Sequence, residues 1–83
     1  MTAGAMTLMH SKFVPSTVLP GRFNYKNDDG SFLSVNAKGE VSTSRNDHAN
    51  TAFHWVKGSQ RAWVWPDPGP FAVKHTFLVD EQD

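Results

Sequence analysis

Apolar and polar residues alternate with a period of two through much of the chain. Phe23 and Tyr25 stand between Arg22, Asn24 and Lys26, Leu33 and Val35 flank Ser34, and Val41 precedes Ser42. This period sends side chains to opposite faces of a strand, so the apolar set points to a core and the polar set to water. Turn signals separate the runs. Asn27-Asp28-Asp29-Gly30 reads as a hairpin-type reversal, because Asx residues tolerate and Gly freely adopts positive φ. Asn36-Ala37-Lys38-Gly39 reads as a type I turn closed by a left-handed glycine. The pattern predicts a three-stranded meander over residues 22–26, 31–35 and 40–44.

The remaining segments extend the β reading. Lys12-Phe13-Val14 runs into Pro15, and Val18-Leu19 into Pro20, so this stretch is expected as an edge strand or extended arm. Residues 46–58 carry two patterns. Ala49, Ala52, Phe53 and Val56 fit a helical stripe, with Asp47 as its N-cap and Gly58 just past its end. The run Thr51 to Val56 is rich in strand formers, and Phe53 and Trp55 alternate, which favours a strand. Arg61 to Trp65 alternates aromatic with small residues until Pro66-Asp67-Pro68-Gly69-Pro70 stops it. In the final run, Phe71, Val73, His75, Phe77 and Val79 share one face, and Ala72, Lys74, Thr76 and Leu78 the other. The expected fold is all-β: a small single-domain barrel or sandwich of five to seven short antiparallel strands. The alternative is α+β, with one short helix near residues 47–57. Residues 1–83 form one domain, with 1–11 and 80–83 flexible.

The run Gly30-Ser31-Phe32-Leu33-Ser34-Val35, then Gly39-Glu40-Val41, then Phe53-His54-Trp55-Val56 resembles one repeat of a β-trefoil of the fascin type. A trefoil needs three such units, and the chain holds one clear copy, so a complete trefoil is not expected. Trefoils bind sugars, actin, growth-factor receptors and proteases, so the resemblance implies an architecture and no single activity.

Composition narrows the chemistry. There is no cysteine, so neither a disulfide nor a thiolate is present. Three tryptophans, six phenylalanines and one tyrosine supply bulk to a core that is small at 83 residues. Eight basic residues balance eight acidic ones, which gives no global pull toward nucleic acid or anionic lipid and little repulsion against self-association. The first nine residues lack a basic n-region and a long apolar run, and nothing downstream reaches membrane-spanning length. The expectation is a soluble, cytoplasmic protein.

Catalytic and metal motifs are missing from the sequence. His10, His48, His54 and His75 do not have paired-ligand spacing. There is no G-x-S-x-G elbow, H-E-x-x-H or phosphate-binding glycine loop. Asp28-Asp29 is explained by turn chemistry. No catalytic residue, metal or cofactor is therefore assigned. Lys12, Arg22 and Lys26 with Phe23 and Tyr25 could serve a single-stranded nucleic acid, but the alternation sends those aromatics inward.

The tryptophans carry the functional expectation. If Ala62 and Val64 face the core, Trp63 and Trp65 face outward together, and paired exposed indoles mark a binding surface. If the indoles fill the core, Ala62 and Val64 lie outside. The favoured reading is a non-catalytic binding module that engages a protein partner or a second copy of itself. Trp63, Trp65 and Phe71 are its candidate residues, with Arg61 as a polar neighbour. A carbohydrate-binding, lectin-like role is the alternative, and single-strand nucleic-acid binding the third.

Overall fold

The turns form where the Asx and glycine residues stand. In the computed structural model, which describes residues 6–66, 69–70 and 72–82, Asp29 Oδ1 accepts from the N–H of Ser31 at 2.9 Å and from its hydroxyl at 2.6 Å. Gly30 follows Asp29 at φ +87°. Asn36 Oδ1 accepts from the N–H groups of Lys38 and Glu40, each at 3.0 Å, and Gly39 turns the chain at φ +83°. A short side-chain acceptor and a residue free to take positive φ fix each reversal locally.

Eight strands occur among the described residues: β1 (Thr7–Met9), β2 (Phe13–Pro15), β3 (Phe23–Tyr25), β4 (Phe32–Val35), β5 (Val41–Ser44), β6 (Phe53–Trp55), β7 (Arg61–Val64) and β8 (His75–Asp80). The fold is all-β, and the helical content among the described residues is two single 3₁₀ turns, His10–Lys12 and Ala49–Thr51. Six strands form one sheet in the order β1, β8, β7, β6, β3, β2, and β4 pairs with β5 separately. The edge strands β1 and β2 are joined by only three residues, His10–Lys12. At about 2 Å of rise per residue, such a link holds the two edges close, so the sheet must curl toward a barrel. Across the near-closure, the N–H of Met9 donates to Tyr25 Oη at 3.1 Å.

One core serves both sheets. Leu8, Phe13, Tyr25, Phe53, Trp55, Ala62, Val64, Phe77 and Val79 line the curled sheet, and the β4–β5 hairpin adds Leu33 and Val35. Phe13 sits at the centre of the aromatic set. It stacks on Trp55 at 4.6 Å between centroids and meets Tyr25 and Phe53 edge-on at 5.3 and 5.7 Å. Edge-to-face and stacked rings at these distances add to the burial that holds a small core together.

Four sequence expectations change, and one open alternative is decided. The meander is broken after β3: only the single bridge Lys26–Phe32 links β3 to β4, and β3 pairs instead with β2 and β6. Asn24, expected in water, is buried. Its amide donates to Asp47 Oδ1 at 2.9 Å and to the Thr51 carbonyl at 3.1 Å, because the segment before β6 covers the outer side of β3. Residues 46–58 take the favoured strand reading: a 3₁₀ turn is followed by β6, so the inward positions are Phe53 and Trp55 and the helical alternative is not used. The last strand begins at His75, four residues after the alternation starts, and Val73 is exposed. The β7–β8 ladder ends at Val64–His75, near Pro66, which has no N–H to extend it. Thr7–Met9, within the lead-in expected to be flexible, forms β1 in parallel pairing with β8, and its Leu8 is buried.

Candidate functional site

The aromatic core dictates what β7 presents outside. Phe13, Phe53, Trp55 and Phe77 fill the interior, which leaves β7 room for only small inward side chains, Ala62 and Val64, both fully buried. The period of two then places Arg61, Trp63 and Trp65 on the outer side. Trp65 keeps 39% of its surface exposed, and Trp63 is half-buried. The orientation with Ala62 and Val64 inward is therefore the observed one. Trp55 is the contrasting indole: it is buried, and its Nε1–H donates to the Ser59 carbonyl at 3.0 Å.

Sheet register assembles the rest of the face. The β6–β7 hairpin pairs His54 with Trp63, and β8 places Thr76 on the other side of Trp63. The His54 ring lies parallel to the Trp63 indole, 5.1 Å between centroids at 10°, and meets Trp65 nearly edge-on at 6.4 Å. The Lys74 ammonium sits 5.3 Å from the Trp63 ring and 5.4 Å from the Trp65 ring, within cation–π range of both. Arg22 flanks the far side of His54, since the next residue, Phe23, pairs with Phe53. Of the residues singled out from the sequence, Trp63, Trp65 and Arg61 share this face, and Phe71 lies outside the described residues.

The electrostatics are one-sided. Burial, then the positive charges of Arg22 and Lys74, hold the His54 imidazole below its ordinary pKa. Arg22, Arg61 and Lys74 make no ion pair among the described residues, where the pairs are Lys12–Asp28 at 3.2 Å and Arg45–Asp29 at 3.6 Å. Trp63 Nε1 is buried with no acceptor among the described residues. An unmet buried donor costs on the order of 1–3 kcal/mol, so the free chain holds this face at some expense.

The sequence does not mark His54, Lys74 or Arg22 as members of this face: Arg22 is weighed there only with Lys12 and Lys26 for nucleic acid, and His54 only among the histidines. A signal for His54 existed: a reversal centred near Gly58 sets residue 54 opposite residue 63. Lys74 and Arg22 join through longer-range pairing that carries no local mark. The other histidines have separate surroundings. His48 Nδ1 accepts from the Asn50 N–H at 3.1 Å, His75 Nε2 lies 3.1 Å from the Ala37 carbonyl, and His10 Nδ1 lies 3.3 Å from that of Asp80. Among the described residues there is no pocket and no cluster of three or more metal-ligating side chains, and no helix is long and apolar enough to cross a membrane. The chain matches no protein-family model, and no curated protein or solved structure is significantly similar to it.

Proposed function

We propose that this protein is a non-catalytic binding module whose working surface is the outer face of β7, and that its partner is another protein or a second copy of itself. One observation carries the reading: Trp63 and Trp65 stand outside a sheet whose inner face is already filled by Ala62 and Val64. An indole left outside a completed core contributes little to folding for its size, and tryptophan is among the residues most enriched in interface hot spots. Trp65 is the anchor, because His54 already covers one face of Trp63. Arg61 lies two positions along from Trp63 and adds a polar contact at the rim.

The test compares wild type with Trp65→Ala in sedimentation equilibrium and in parallel capture of partners from a host lysate. Self-association, or a retained species, that disappears with Trp65→Ala at an unchanged melting temperature supports the reading. Association and capture that are the same for both proteins oppose it.

A further inference from the structure

We propose that the ligand of this face is an acidic segment of a partner protein, with an apolar side chain seated on Trp65 and carboxylates beside Lys74 and Arg22. The inference rests on the binding-module reading and specifies the partner's chemistry.

The argument begins with charge. Lys74 lies over both indoles, Arg22 flanks the His54 ring stacked on Trp63, and Arg61 stands two positions from Trp63 on β7; none has an ion-pair partner among the described residues. In a chain with equal numbers of acidic and basic residues, this is an uneven distribution. Between Asp47 and Asp80 the sequence carries a single carboxylate, Asp67, against Lys57, Arg61 and Lys74. Arg22 flanks His54 from β3, and Lys74 lies over the Trp63 indole that stacks on His54, so the two cations approach the His54–Trp63 pair from neighbouring segments. A ligand that supplied negative charge there would complete charge-assisted hydrogen bonds at both cations.

Shape and stacking select among anions. Single-stranded nucleic acid needs several stacking platforms along a continuous positive groove. Here one face of Trp63 is covered by His54, which leaves Trp65 as the more exposed ring, and no pocket is present among the described residues. Lys74 at the Trp65 ring and Arg22 beside His54 suit a few carboxylates flanking one apolar side chain. A neutral sugar would leave the cations unused. A positively charged ligand would have to displace Lys74, which already lies over both rings.

The probe is a fluorescent twelve-residue peptide of glutamates around two central leucines. Its controls are a twin with glutamine at every glutamate and a labelled oligothymidine of equal length. Anisotropy is measured with wild type, Trp65→Ala, Lys74→Gln and Arg22→Gln, each checked for an unchanged melting temperature. The acidic peptide is expected to bind saturably and more tightly than either control. Trp65→Ala should weaken it by roughly thirtyfold or more, a hot-spot loss. Each cation removal should weaken it roughly two- to fivefold, the range of exposed ion pairs. Equal binding of the glutamine twin would overturn the carboxylate requirement and leave the aromatic surface standing. Tighter binding of the oligothymidine would overturn the proposal in favour of phosphate. If no probe binds while wild type self-associates and Trp65→Ala does not, the occupant is a second copy and the proposal fails. If no probe binds and Trp65→Ala changes nothing, the binding-module reading fails with it.

Discussion

The imidazole of His54 lies flat against the indole of Trp63, 5.1 Å between centroids and 10° from parallel. The pair is cross-strand, held by the β6–β7 register, and it divides the tryptophans into three environments. Trp55 is core, Trp63 is a covered platform, and Trp65 is the open ring. The consequences differ for each.

The stacked histidine makes stability depend on pH. Burial first, and then Arg22 and Lys74, lower the folded pKa of His54 below the ordinary value of 6.5. Between the folded pKa and 6.5 the unfolded chain binds a proton that the folded chain does not. The contribution of neutral His54 is therefore complete above about pH 6.5 and is lost as pH falls through the folded value. The melting temperature should drop between pH 7.5 and pH 5, and His54→Gln should remove part of that drop. Parallel melting curves for the two proteins would refute the assignment.

Truncating the inner and outer indoles should separate their roles. Trp55→Ala removes a core ring stacked on Phe13 and is expected to cost about 3–5 kcal/mol. Trp65→Ala is expected to cost no more than about 1 kcal/mol, as at other exposed positions. Denaturant titration gives both values, and similar losses at the two sites would place Trp65 in the core.

Asp47 ties the Ser16 turn, β3 and the segment before β6 together. Its carboxylate accepts from Ser16 at 2.6 Å, Asn24 at 2.9 Å and Thr51 at 3.2 Å. Burial raises its pKa, but the hydrogen bonds from Ser16, Asn24 and Thr51 outweigh this and hold it below 3.8. Its contribution is present above the unfolded carboxylate pKa and is lost as pH falls through the lower, folded value. Asp47→Ala leaves the buried Asn24 amide with one acceptor fewer and should cost about 1–3 kcal/mol in chemical denaturation at pH 7. A loss no larger than that of an exposed carboxylate such as Asp28 would contradict this.

Gly39 is constrained twice. Its φ is +83°, and an added Cβ would lie 3.0 Å from Cε1 and Nδ1 of the His75 ring. Gly30 has the same backbone requirement, but a Cβ there would meet only Arg45 Nη1 at 3.7 Å. Gly30→Ala should therefore cost about 1–2 kcal/mol, the left-handed strain alone. Gly39→Ala should cost more, and His75→Ala in the same chain should recover the excess. No recovery in the double variant would show that the imidazole is not what Gly39 accommodates.

What the sequence reveals and conceals follows from the range of each interaction. The reversals at Asp29-Gly30 and Asn36–Gly39 are legible because acceptor, donor and glycine lie within four residues. Alternation shows that Trp63 and Trp65 share a face, but which face turns inward is open in the sequence, since it depends on the bulk that Phe13, Phe53, Trp55 and Phe77 bring to the core from other strands. Burial of Asn24 is not legible, since it depends on a segment more than twenty residues later folding over β3. The same holds for β1, whose partner is the last strand, and for Arg22, His54 and Lys74, which three separate segments bring to one face.

The central claim, that the outer face of β7 is the binding surface, is tested most directly by the indole N–H signals in a ¹⁵N spectrum. The chain gives three such signals, and Trp65→Ala assigns one of them. On titration with the acidic peptide, the Trp65 signal should shift most, Trp63 should shift with it, and Trp55, bonded to Ser59 inside the core, should stay in place. Saturable binding that moves neither the Trp63 nor the Trp65 signal would contradict the account.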